Sequence, residues 1–359
     1  MNKVYKFFIG ILALCLLLFL GQKKLNEKEK DQDSKNIYFY NWGDYIDPEI
    51  IKDFEKETGY HVIYETFDSN EAMMAKVEQG KTSYDLAFPS EYTVEMMKDK
   101  KLLKKLDHKK IKGLDNIDPR FLNLSYDPNN DYSIPYFWGS FGIIYNNKKY
   151  KKEDFSSWKN LWDPKFEGEI LSFDGARETL GIGLLAKGKS LNETDEKVLR
   201  QTKDELVGFM KNVKAILADE IRMYMAQGEA DIGITFSGEA SMAESINPNL
   251  SYTIPKEGSN IWFDTMVIPK TSKNTKGAYA LINYLLRPEV AAKNADYVWY
   301  PTPNKKAMKY IDKDARADKT LYPDDEDIEK LEVFKNLGKE RTILYNDLFL
   351  DLKISPHAD

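Results

Sequence analysis

"SIPYFWGSFGIIYN", residues 133–146, is an aromatic-rich run without a single charge, and it reads as one long extended segment leaving one folded unit for another. What precedes it alternates strand and helix. "IYFYNW" (37–42) reads as a strand, and "PEIIKDFEKETG" (48–59) as a helix with Pro48 in its first turn and Gly59 as its C-terminal cap. "HVIYETF" (61–67) is a second strand, "NEAMMAKVEQG" (70–80) a helix opened by Asn70 and closed by Gly80, and "YDLAFP" (84–89) a third strand before the helical "EYTVEMMKDK" (91–100). This order predicts a parallel sheet covered by helices on both faces.

Downstream, "EGEILSFDGARETLGIGLLAKG" (167–188) opens a further strand-then-helix unit, and "EADIGITFSGEA" (229–240) repeats that grammar. The chain returns through "SYTIPKEGSNIWFDTMVIPK" (251–270) to the helical "TKGAYALINYLLRPEVAAKNADYV" (275–298). Two extended crossings, near 135–145 and 252–268, therefore predict two α/β lobes joined by paired connections.

In open α/β sheets ligands bind beyond the carboxyl ends of the strands. Just past strand one stand Asn41, Trp42, Gly43, Asp44 and Tyr45, and just past strand three Pro89, Ser90, Glu91 and Tyr92. Within the returning strand, side-chain alternation puts Trp262 and Asp264 on one face and Phe263 on the other. One face thus carries a carboxylate beside an indole.

The 359 residues suffice for two domains with full cores, and 42% hydrophobic with 31% charged residues is the balance of a globular protein. Residues 1–22 combine a basic "MNKVYK" with the apolar "FFIGILALCLLLFLG", an export leader too short for a comfortable membrane span. The polar "QKKLNEKEKDQDSKN" that follows reads as a tether over 23–35. The formal charge of −6 becomes more negative once Lys3 and Lys6 leave with the leader, which disfavours nucleic acid as a partner and mildly favours a cation. Cys15, the sole cysteine, lies in the leader, so the folded part has neither a disulfide nor a thiol nucleophile. A leader cysteine suggests a lipoprotein, although Leu14 stands where a small residue is usual, and cleavage elsewhere or an uncleaved anchor remain alternatives.

Catalytic and metal readings find little support. "GLLAKGKS" (183–190) fits the phosphate-loop expression, but a helical stretch precedes it where a strand is required, and the next helix begins only near Thr194. His61, His108 and His357 are scattered and none has a second ligand four residues on, so no metal is expected. Ser237 and Glu239 in "FSGEA" have no histidine nearby in sequence, which favours a strand-to-helix turn over a nucleophile. A glycosidase-like reaction on carboxylates alone stays open as an alternative.

What remains is a set of aromatics and acids: Trp262 with Asp264, Glu178 at the start of the helix after "FDGAR", and the Trp42, Tyr45 and Tyr92 group. Carboxylates accept charge-assisted hydrogen bonds from ammonium groups, while ring faces hold methylenes and add cation–π attraction. The chemistry points to a flexible organic cation.

"YFYNWGDYI" (38–46), "YDLAFPSEY" (84–92), "DPNNDYSIPYFWGSFGIIYN" (127–146), "FDGARE" (173–178), "IWFDTMVIP" (261–269) and "YPTPN" (300–304) resemble, in order and over about residues 36–350, the substrate-binding proteins of spermidine/putrescine ABC importers, the PotD type. The resemblance implies a type II periplasmic-binding-protein fold, two lobes each with a mixed sheet flanked by helices. It places lobe one at 36–139 plus 263–310 and lobe two at 140–262 plus 311–359. It implies a monomeric extracytoplasmic receptor without cofactor or catalysis that closes on a polyamine and docks on a membrane permease. A receptor for another small cation is the alternative within binders. Aromatic walls would be Trp42, Tyr45, Tyr92, Trp262 and Tyr300, with Phe236 where the family's best-known member has another tryptophan. Asp264 and Glu178 would hold the amines, and Ser90 would add a polar contact. Three positions depart from that pattern: Gly175 for an acid, Leu350 for a glutamine and Ala218 for a serine, with Asp219 or Glu239 as possible compensation. The departures leave the choice between spermidine and putrescine open.

Overall fold

The computed structural model describes residues 35–354. The leader, Cys15, all of the tether but its last residue, and His357 lie outside the described residues. β1 (Asn36–Trp42) runs parallel to β2 (His61–Phe67) on one side and to β3 (Leu86–Ala87) on the other. The helices between them are α1 (Pro48–Thr58) and α2 (Asn70–Gln79), with α3 (Glu91–Asp99) following β3. Gly59 and Gly80 close α1 and α2 in the left-handed conformation, as the sequence predicts. α2 is opened by Ser69, whose side chain accepts from the Ala72 N–H, and Asn70 is freed for another task. The expected third strand shortens to two residues, although the chain keeps isolated contacts with β9 through Pro89 and Ser90 before α3 begins.

β4 (Ser133–Asn146) is the long segment the sequence predicts, and it serves two sheets. Its first half pairs antiparallel with β9 (Ile261–Val267), from Ser133 opposite Val267 to Ser140 opposite Ile261. The pairing shifts register between Pro135 and Phe137, where proline brings no N–H to the ladder. Its second half pairs with β7 (Ile232–Phe236) and with β8 (Leu250–Thr253). β7 is parallel to β5 (Ile170–Phe173), which is parallel in turn to β6 (Val213–Leu217). The strand order β2-β1-β3-β9-β4-β7-β5-β6, with β8 on β4, makes both halves mixed.

Two large cores lie on either side of the crossing. The first gathers Ile37, Phe39, Phe54, Leu86, Phe137 and Phe263 with Leu281 and Ile282 of α8 (Thr275–Leu285). The second gathers Phe155, Trp158 and Phe166 with α4 (Ala176–Ala186), α5 (Glu196–Met210) and α12 (Gly338–Ile354). A smaller core under the other face of the second sheet joins Ile144 and Leu171 to α6 (Glu220–Gln227) and α7 (Ser237–Ile246). The segment after α9 (Pro288–Val298) contains the short α10 (Lys313–Ala317) and α11 (Asp325–Ile328). Residues 311–333, which the sequence reading gives to lobe two, pack on the first core: Ile311 is buried in it and Tyr322, Ile328, Leu331 and Val333 lie against it. From Phe334 the chain packs on the second core.

Gly183 lies in the interior of α4, so the phosphate-loop match has no helix N-terminus to offer an anion. Among the described residues no group of three or more potential metal ligands exists, and no helix is long and apolar enough to cross a membrane.

Candidate functional site

Asp264 occupies the middle of β9, opposite Phe137 of β4 and bridged to Ser90, the residue before α3. Its neighbour Phe263 faces the first core, with its ring centroid 5.3 Å from that of Phe121, so the alternation read from sequence sends Asp264 and Trp262 the other way. Asp264 is only 6% exposed. The Ser90 hydroxyl donates to its Oδ1 at 2.6 Å and the Tyr45 hydroxyl to its Oδ2 at 2.7 Å. Burial raises its pKa to about 6, against the lowering effect of those two donors and of the nearby Trp42 indole. Among the described residues no Lys, Arg or His forms an ion pair with it, and the causes that lower its pKa are hydrogen bonds from neutral groups. A carboxylate buried without a positive partner is costly, and a cationic guest would remove that cost.

The surrounding groups are held from several elements. Tyr45 follows the turn after β1, where Asp44 adopts a positive φ of 49°, and the Tyr136 hydroxyl donates to the Tyr45 carbonyl at 3.0 Å. Trp42 ends β1 and packs on Phe67. Asn70, which sequence reasoning read only as a helix start, is 5% exposed and its amide donates to both Ser90 Oγ and Tyr92 OH at 3.0 Å. It also accepts the Ser90 N–H, so a single side chain orients two site residues. A helix-opening position gives no sequence signal for such a role.

Trp262 meets Tyr300 edge to face with centroids 5.0 Å apart and Phe236 at 6.0 Å, which joins the end of β7 to the wall. Tyr300 in turn lies 5.8 Å from Tyr45. Trp262 sits directly over Gly139, its register partner on β4; a β-carbon there would stand 2.5 Å from Cζ2 of the indole. Only glycine permits that approach.

Glu178 stands in the first turn of α4, where its carboxylate folds back over Gly175 and takes its own backbone N–H. A β-carbon at 175 would lie 2.1 Å from Glu178 Oε2, which accounts for glycine at that departure from the family pattern. Burial raises its pKa, opposed by its own backbone N–H and by Arg177, and its charge is among those that raise Tyr92. Glu178 thus lies near enough to Tyr92 for its charge to act there. Leu350, at another of the departures, is exposed on α12, and the Ala218 N–H is taken by the Glu220 side chain.

Glu91, present in the sequence reading only as a residue past strand three, is 1% exposed. Its Oε2 accepts the Phe263 N–H at 3.0 Å, bracing β9 next to Asp264. Burial pushes its pKa to about 8, so it carries a proton at neutral pH.

The description "bacterial extracellular solute-binding protein" fits residues 49–323, most of the chain. The chain belongs to that family. This solute-binding protein is 40% identical over 322 residues to the spermidine/putrescine-binding periplasmic protein of Escherichia coli K12, covering 89% of this chain and 92% of that one. It is 33% identical over 310 residues to the putrescine-binding periplasmic protein PotF of the same organism, covering 81% and 84%. The crystal structure of the spermidine/putrescine ABC transporter substrate-binding protein PotD of Streptococcus pneumoniae superposes with a TM-score of 0.83 at 51% identity, covering 89% of this chain and 99% of that one.

Proposed function

We propose that this solute-binding protein is a polyamine receptor that takes spermidine or putrescine between its lobes and presents it, as a monomer, to the membrane permease of an ABC importer. The observation that carries the reading is the buried Asp264 carboxylate, hydrogen-bonded by two neutral hydroxyls and, among the described residues, paired with no positive side chain. An ammonium group would supply the missing charge, and the rings of Trp42, Tyr45, Tyr92, Phe236, Trp262 and Tyr300 would sandwich the methylene chain. Glu178, near Tyr92, is the second anchor, and Ser90 both orients Asp264 and lines the floor. Relatives that bind spermidine and putrescine support the choice of cation.

The reading is of a binder rather than an enzyme, with neither metal nor cofactor in its action. Its lobes meet across β4 near 139–140 and across β9 near 262–263; the packing of 311–333 supports a last crossing close to residue 333. An extracytoplasmic setting follows the family, and Cys15 is the candidate lipid anchor. Calorimetric titration of the purified protein with putrescine, spermidine, choline and a basic amino acid tests the proposal. Heat saturating with a polyamine at the lowest concentration supports it, and tighter binding of choline or the amino acid replaces it with a different cation receptor.

A further inference from the structure

Beyond Tyr300 lies a second acidic group of different construction. Glu239, in the first turn of α7, is 9% exposed; the Tyr300 hydroxyl donates to its Oε1 at 3.4 Å, and the Arg222 guanidinium of α6 stands 3.1 Å from its Oε2. Arg222 also reaches the Met242 sulfur at 2.8 Å, which fixes it along α7. Asp219, just before α6, feels the Arg222 charge, and Asp219, Glu239 and Asp264 all act on Tyr300. The Tyr300 ring lies against Gly238, so this phenol is the contact between the first core and the first turn of α7.

The two sides of Tyr300 therefore differ in one respect. Among the described residues Asp264 has no cationic partner, whereas Glu239 has Arg222. We infer that Arg222 is a resident cation filling the outer anionic end of the cleft, and that it sets the length of polyamine the receptor accepts. The inference rests on the polyamine reading above. On the reading above a diamine is held by Asp264 and Glu178 and does not engage Glu239. The third ammonium of a longer polyamine reaching past Tyr300 meets a guanidinium already paired to Glu239, and it gains an acid only by displacing that side chain. Without Arg222, Glu239 becomes a free acceptor for it.

Dissociation constants for putrescine and spermidine, measured by calorimetry on the wild type, Arg222→Met, Arg222→Lys and the double variant Arg222→Met/Glu239→Gln, test the inference. Methionine keeps the aliphatic packing beside Met242 and removes the charge. The expected result is spermidine binding tightened about tenfold in Arg222→Met with putrescine changed less than about twofold, a wild-type ratio in Arg222→Lys, and loss of the gain in the double variant. A spermidine-to-putrescine ratio unchanged in Arg222→Met, or a gain that survives Glu239→Gln, overturns the inference and leaves the polyamine reading standing. A wild type that binds neither amine overturns both.

Discussion

The Tyr45 hydroxyl donates to Asp264 across 2.7 Å, joining residues 219 positions apart in the chain. That bond favours the ionised carboxylate against the burial that opposes it. Tyr45→Phe is expected to move the acidic midpoint of ligand binding upward by about one pH unit, the consequence of losing one such donor. A pH series of binding isotherms measures it; a midpoint that stays put or falls means the hydroxyl does not stabilise the charge.

The ligand-free protein is expected to lose stability as pH rises from 5 to 8. Asp264 is raised to about 6, Glu239 and Glu244 to about 7, and Glu91 to about 8, all by burial. Each folded-state group holds its proton where the unfolded chain has released it, so the folded form binds more protons across this window and stability falls with rising pH. Urea midpoints at pH 5 and pH 8 check the sign. Saturating polyamine should reduce the decline, because an ammonium offsets the charge on Asp264.

Asn70→Ala removes the shared donor of Ser90 and Tyr92. The expected cost is about 1 to 3 kcal/mol in ligand affinity with the far-UV circular dichroism of the fold retained, since buried partners are left unpaired while the Ser69 cap of α2 is untouched. Affinity equal to the wild type would show that Ser90 and Tyr92 are positioned without it.

Gly139→Ala drives a methyl into the Trp262 indole. Trp262 has to leave its place over β4, so tryptophan fluorescence should change and polyamine affinity fall at least about tenfold. An unchanged emission spectrum with unchanged affinity would show that the strand yields instead.

Much of this was legible in the sequence because local rules govern it. The βαβαβα run, the Gly59 and Gly80 caps, the fourteen-residue β4 and the opposite facing of Phe263 and Asp264 all follow from periodicity and turn chemistry. Which carboxylate lacks a cation is not a local property. Asp264 and Glu239 look alike in the chain, and only the approach of α6 gives one of them Arg222. Asparagine at a helix start usually serves as a cap, whereas the contacts of Asn70 lie 20 and 22 residues away. The packing of Ile311, Tyr322, Ile328, Leu331 and Val333 on the first core depends on contacts distant in sequence, which local periodicity does not reveal.

The central claim is that Asp264 anchors a protonated amine, and the most direct measurement is calorimetric titration of putrescine and spermidine into the wild type and Asp264→Ala side by side at pH 7.5. The account expects the variant to fold and to lose about 2 to 5 kcal/mol of binding free energy for whichever amine the wild type binds. Equal dissociation constants for the two proteins would contradict it.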